Sequence, residues 1–250
     1  METYAAVVLA GGAARRMGGV DKPALPVGGR PMRDRVLAAV ADATPRVLVG
    51  AADVVPSGVR VVREDPPGGG PVAAAATGLA LLAPDTALVA LLAADLPLLT
   101  RAAIGELLHQ LAGQASGGTP AAPGTVPAAP GTAPGTVPAA PGTVPAGGGS
   151  PSAHPTRVGP TGSERRPDGA CFVDGDGRRQ SLCGVWRVAA LRAALDRLTV
   201  ERGDSLSGAP VRALLAGLVV REVPWSGEGP PPWFDCDTDE DVRRAEEWAR

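Results

Sequence analysis

Positive charge in this chain is supplied almost wholly by arginine: of 24 Lys plus Arg, Lys22 is the only lysine. It follows a short apolar run and a glycine turn, Val7-Val8-Leu9-Ala10-Gly11-Gly12-Ala13-Ala14-Arg15-Arg16-Met17-Gly18-Gly19-Val20-Asp21-Lys22. A strand, a turn without Cβ atoms and clustered cations together suit a triphosphate. Backbone N–H groups approach the phosphates and fixed cations neutralise them. An ammonium and a planar guanidinium are not interchangeable at a phosphate, so the lone lysine reads as a required group rather than a solvated loop residue. The turn is neither Gly-x-x-x-x-Gly-Lys-Ser/Thr, since Pro23 follows Lys22, nor Gly-x-Gly-x-x-Gly.

Three acids are candidates to complete such a site. Asp95 ends the most apolar run of the chain, Ala87 to Leu92, and is followed by Leu96-Pro97. A carboxylate there has lost hydration and needs a cation or a donor; the competing reading is a strand-end turn. Asp237 precedes Thr238 and a charged helix, and could instead share in capping that helix. Asp65 lies in the loop Glu64-Asp65-Pro66-Pro67-Gly68-Gly69-Gly70-Pro71, either in the site or as a surface charge. Magnesium takes one or two protein carboxylates plus phosphate oxygens, and Asp95 and Asp237 could be that pair if the last strand lies beside that of Asp95.

The elements that must hold these residues alternate. Strands are expected at Tyr4 to Leu9, Arg46 to Val49, Val59 to Val62 and Ala87 to Leu92. Helices are expected at Met32 to Ala43, with its charges on the face away from Met32, Val36, Leu37 and Val40, at Val72 to Leu82, and at Arg101 to Ala112 capped by Thr100. That order predicts a parallel sheet with helices on both faces, whose ligands bind beyond the carboxyl ends of the strands. The glycine turn and Asp95 each follow such an end.

From about residue 113 to 167 the composition changes to repeats of Pro-Ala-Ala-Pro-Gly-Thr-Val-Pro, with little to bury. This predicts a disordered, polyproline-like insertion in one domain spanning 1–250. Deleting Gly118 to Ser163 is expected to leave melting temperature and activity nearly unchanged. Beyond it a hairpin is expected, Ala170 to Val173 with Leu182 to Trp186. Helices follow at Val188 to Leu198 and within Ser205 to Leu215, then a strand at Leu218 to Val223, an aromatic strand at Trp233-Phe234, and a final helix whose Thr238 and Asp241 resemble a capping box.

The 250 residues are 44% apolar but only 3% aromatic, so the core must be Val, Leu and Ala. A net charge of −2 gives no basis for broad nucleic-acid binding. Cys171, Cys183 and Cys236 are odd in number and wrongly spaced for a zinc cluster or disulfide framework, and are expected to pack as small apolar groups. His109 and His154 lack a paired acid or serine nearby in sequence. No signal peptide or membrane-spanning run is expected, and a reducing cytoplasm is the simplest location. Metal, phosphate clamps and positioning therefore suit this chain better than acyl-enzyme chemistry, which means phosphoryl or nucleotidyl transfer.

Leu9-Ala10-Gly11-Gly12-x-x-x-Arg16-Met17-Gly18-x-x-Asp21-Lys22-x-x-Leu25 resembles the signature of the molybdenum cofactor guanylyltransferases. The likeness continues through Gly70-Pro71-Val72-Ala73-Ala74, Asp95-Leu96-Pro97, Gln180 to Trp186, and Asp235-Cys236-Asp237-Thr238-Asp239-Glu240-Asp241, the last similar to Asn-x-Asn-Thr-Pro-Glu-Asp. It covers the chain apart from the proline-rich segment. It implies an α/β, Rossmann-like three-layer fold of the glycosyltransferase-A and nucleotidyltransferase type, with a mostly parallel sheet. Leu9, Ala10, Gly11 and Gly12 would hold the nucleotide, and Arg16 and Lys22 its triphosphate. Asp65 would match a guanine-nucleotide contact, Asp95 a magnesium ligand, and Asp237 a second metal ligand by analogy with the wider fold. Arg16, Lys22 and Asp95 would be the catalytic groups. Gly50 stands where the family often has a polar nucleotide contact, and Asp239 replaces a proline. The implied substrates are GTP and molybdopterin, with Mg²⁺ as cofactor and molybdoenzyme apoproteins or cofactor chaperones as partners, without nucleic acid or membrane. A related enzyme using CTP or another phosphorylated acceptor, and a nucleotide-binding module without catalysis, are the alternatives.

Overall fold

The computed structural model describes residues 3–11, 21–52, 54–112 and 165–250. Gly12, Arg16, His154 and residues 113–164, nearly all of the disordered insertion expected at about 113 to 167, lie outside these residues. At the far end of the expected insertion Pro167 is packed, its carbonyl accepting a hydrogen bond from Arg187 Nε at 3.0 Å.

Seven strands make the main sheet. β1 (Ala5–Leu9), β4 (Arg46–Val49), β5 (Val59–Val62) and β6 (Leu88–Ala93) come from the first half; β7 (Gly169–Val173), β8 (Arg179–Arg187) and β9 (Val220–Pro224) come from the second. A two-stranded ribbon, β2 (Pro26–Val27) with β3 (Arg30–Pro31), stands apart. The main order is β5-β4-β1-β6-β8-β7-β9. Every neighbouring pair is parallel except the two that β8 makes, with β6 and with β7. The near-continuous apolar runs of β1 and β6 follow from burial on both faces.

Alternate residues serve opposite layers. Ala6, Val8, Ala90 and Leu92 pack toward α1 (Met32–Ala39) and α3 (Arg101–Ala112). Ala5, Val7, Val89 and Leu91 pack toward α2 (Pro71–Ala80), α4 (Val188–Glu201) and the short α5 (Val211–Leu214). Helix α2 lies close enough that a Cβ on Gly78 would stand 2.4 Å from Val7 Cγ1 and 3.1 Å from Val49 Cγ2. Alanine normally stabilises a helix over glycine by about 1 kcal/mol. Here overpacking at about 1–3 kcal/mol reverses the sign, so Gly78→Ala is expected to lower the denaturation midpoint in urea.

Several expectations are corrected. α1 ends at Ala39 rather than Ala43, because Val40 leaves the helical region at φ −114°, ψ 30° and its N–H turns to the Ala38 carbonyl. Its charges are not all on the outer face: Arg33 is only 9% exposed. α5 occupies four residues because Gly208, at positive φ, and Pro210 interrupt the segment before it. Trp233-Phe234 is not a strand. The last strand, β9, forms the far edge of the sheet, three places from β6, so it does not lie beside the strand of Asp95.

A third, smaller core closes the rim. Val27, Met32, Leu98, Cys236 and Ala245 are buried together, with Leu25, Phe234, Val242 and Ala249 against them. It seats the final helix α6 (Asp239–Trp248) on the β2–β3 ribbon. Thr238 and Asp241 cap α6 reciprocally in a capping box. No helix among the described residues is long and apolar enough to cross a membrane.

Candidate active site

β1 and β6 are adjacent and parallel, with Leu9 opposite Ala93, so the two strand ends open side by side. Ala94 N–H donates to the Leu9 carbonyl at 3.0 Å and Ala10 N–H to the Val49 carbonyl at 2.8 Å, locking the start of the glycine turn to both neighbouring strands. Asp95 stands one residue beyond that lock.

Lys22 reaches this point from a short 3-10 turn, Lys22–Ala24, begun by Pro23. Its Nζ donates to Asp95 Oδ2 at 2.6 Å and to Asp237 Oδ1 at 2.7 Å. The Lys22 and Asp95 side chains are 19% and 24% exposed, whereas Asp237 is 63% exposed. Water therefore weakens the Asp237 pair, and Asp95 is the firmer anchor. Burial lowers the lysine pKa, but hydrogen bonds to Asp237 and Asp95 and their charges outweigh it and hold it above the ordinary value. Asp235 lies close by: partial desolvation, then the charges of Asp237 and Asp95, raise its carboxyl pKa. Two carboxylates thus close on one ammonium, with the charge of a third nearby.

Asp237 arrives although its preceding strand is at the sheet edge. After β9 the chain turns back over the rim, with Trp225 edge-on to Phe172 at 5.4 Å and Trp233 tilted against the same ring at 5.4 Å. It then meets β6, where Cys236 N–H donates to the Asp95 carbonyl at 3.3 Å. Capping does not require Asp237, since Thr238 and Asp241 satisfy the helix end.

Of the other expected site residues, Leu9, Ala10 and Gly11 line the end of β1. Asp65 is exposed and makes no hydrogen bond to a described residue. Its neighbour Glu64 instead turns inward, accepting from Gly69 N–H at 2.8 Å and lying 3.2 Å from where a Gly11 Cβ would stand. Sequence reasoning passed over Glu64; its only signal was its place in the same glycine-rich loop. Gly50, at φ +144°, lies flat on Ala10, and a Cβ there would meet the Ala10 backbone at 2.9 Å. No side chain fits at that position.

The cysteines contribute packing, as expected: all three are free and buried. Burial pushes the Cys171 thiol up to about 11 and Cys236 to about 12, and raises Cys183 as well. They are protonated at neutral pH and poor nucleophiles. His109 is exposed on α3. Among the described residues, no group of three or more His, Cys, Asp or Glu is arranged to hold a metal ion by itself.

The mostly parallel sheet with helices on both faces is the α/β fold of solved nucleotidyltransferase structures, which superpose along nearly the whole chain. The chain belongs to the family of MobA-like NTP transferase domains, whose family model matches residues 6–220. A probable molybdenum cofactor guanylyltransferase of Haloferax mediterranei is 34% identical over 128 residues, which are 48% of this chain and 58% of that protein. The match therefore spans little more than half of that relative's length. Among solved structures, 2-C-methyl-D-erythritol 4-phosphate cytidylyltransferase from Thermus thermophilus superposes with a TM-score of 0.58 at 18% identity, over 99% of both chains. Molybdopterin-guanine dinucleotide biosynthesis protein A from Archaeoglobus fulgidus superposes with a TM-score of 0.55 at 16% identity, over 97% of this chain and 96% of that one. At such identities these two establish the fold.

Proposed function

We propose that the chain transfers GMP from GTP to molybdopterin, forming the guanine dinucleotide cofactor and releasing pyrophosphate. The observation that carries this is the single lysine of the chain, held at hydrogen-bond distance from both Asp95 and Asp237 where the glycine turn begins. The name of the Haloferax relative supports the choice of base and acceptor.

In this reading the terminal phosphate oxygen of molybdopterin attacks the α-phosphorus of GTP, and the bond from that phosphorus to the bridging oxygen of the β-phosphate breaks. Lys22 and Arg16 neutralise the phosphates, and Gly11 and Gly12 let the backbone approach them. Asp95 and Asp237 would hold the magnesium ion. Their oxygens suit a hard cation, and they already converge on one cationic point, the Lys22 ammonium, with Asp235 adding further negative charge. Bound there, magnesium would help to neutralise the α-phosphate and the departing pyrophosphate. No general base of shifted pKa is needed, because the attacking phosphate is already ionised; positioning and charge supply the rate.

A second reading is a cytidylyltransferase: Gly50, whose close seat on Ala10 removes any side-chain contact to the base from that position, leaves the choice of base open. Pyrophosphate release from GTP, CTP, ATP and UTP with molybdopterin as acceptor separates the two. Release from GTP alone is expected; release from CTP alone would replace the first reading with the second.

A further inference from the structure

The charged residues of the site sit on three separate segments, and one side chain outside it ties two of them together. Arg35, at the end of the first turn of α1, donates from Nε to the Pro97 carbonyl at 2.7 Å and from Nη1 to the Val27 carbonyl at 3.2 Å. Pro97 lies two residues beyond Asp95, and Val27 lies on the ribbon that follows Lys22. Beside this bridge, Leu98 and Val27 are buried in the same small core as Cys236, next to Asp237. The ribbon is shaped to admit the guanidinium: Gly28 takes φ +59°, and a Cβ there would stand 2.9 Å from Arg35 Nη1. Gly28 N–H is in turn held by Glu246 Oε1 of α6 at 3.0 Å. Two carbonyls on different segments, at fixed angles, suit a planar fork of donors better than any other side chain.

We propose that Arg35 is a positioning residue, its guanidinium setting the separation between the segment that carries Lys22 and the segment that carries Asp95. The proposal rests on the reading of Lys22 and Asp95 as the working charges of the site. Without the bridge, the ribbon and the Asp95 segment lose their polar link and are joined through apolar contacts, which slide. The Lys22 ammonium then no longer stays closed between its carboxylates, and a misplacement on the order of 1 Å is costly to turnover.

The test uses the full chain grown with 15N-lysine, in which the one side-chain ammonium signal must come from Lys22. In the unaltered chain that signal is expected to be visible near neutral pH, because an ammonium closed by two carboxylates exchanges its protons slowly. Arg35→Met keeps the length and removes the donors. It is expected to lose the signal and to lower turnover by about tenfold to a hundredfold. KM for the nucleotide is expected to change by less than about threefold, and the circular dichroism spectrum not at all. Arg35→Gln retains one donor group and is expected to fall between; measured in the same way, it carries the test should Arg35→Met not fold. Arg101→Ala, which removes a surface ion pair with Asp42, is the control and is expected to match the unaltered chain. Signal and turnover at the unaltered level in the Arg35 variants would overturn the proposal. So would turnover falling only with the unfolded fraction while the signal persists. The signal requires no substrate: its loss in Arg35 variants of a chain that transfers no nucleotide would uphold the role of Arg35 and count against the proposed function instead.

Discussion

Lys22→Ala is expected to reduce turnover by about 10³-fold, the scale of removing one preorganised charge from a transition state, while leaving the chain folded. The loss is large because no other lysine exists and because the group is fixed, 2.6 Å from Asp95 and 2.7 Å from Asp237. The fold survives because Lys22 stands at the rim and belongs to neither large core. Pyrophosphate release and a melting curve on the same sample check both halves; full activity would refute the role. The pH dependence has a definite sign. The folded pKa of Lys22 is raised, so its contribution to stability is fully present below the ordinary lysine value of 10.5 and fades as pH rises through the folded value. Melting temperatures of the unaltered chain and Lys22→Ala should differ at neutral pH and converge on the alkaline side.

Asp95→Ala is expected to be nearly as damaging, again by about 10³-fold, because the change removes both the better buried partner of Lys22 and a carboxylate suited to a divalent cation. The local backbone should hold, since the bonds around it are main-chain ones, Ala94 N–H to Leu9 and Cys236 N–H to the Asp95 carbonyl. Asp237→Ala is the internal comparison. Its side chain is 63% exposed and well solvated, so the expected loss is about tenfold. Equal turnover in Asp95→Ala and the unaltered chain would remove Asp95 from the mechanism.

What could be read from the sequence follows from which forces are local. β1 and β6 announce themselves because strands buried on both faces must be apolar throughout, and their shared rim follows from the alternation of strands and helices. The capping box at Thr238 and Asp241 is equally local. The sequence brings Asp237 to Asp95 only if the last strand lies beside that of Asp95, which it does not. The two meet instead where the chain returns over the rim past Trp225 and Trp233, both packed on the distant Phe172, and Cys236 N–H bonds the Asp95 carbonyl. The two arginines of α1 were invisible for a related reason. On an amphipathic helix an arginine reads as a solvated face. Yet Arg33 is buried beside Asp21 at 3.2 Å, and Arg35 reaches two carbonyls that only the tertiary fold brings together. Glu64 and Asp65 are adjacent in one irregular loop, where periodicity gives no inward or outward sense; the structure turned Glu64 in and left Asp65 out.

The solitary ammonium has a practical corollary at the bench. Protonated and enclosed, it is a poor target for acylating reagents at neutral pH, so ester-based dyes and amine-coupled sensor surfaces find no willing side chain on this protein. Any reagent that does modify it there reports that the acids have let go, which makes simple covalent labelling a gauge of how open the site is.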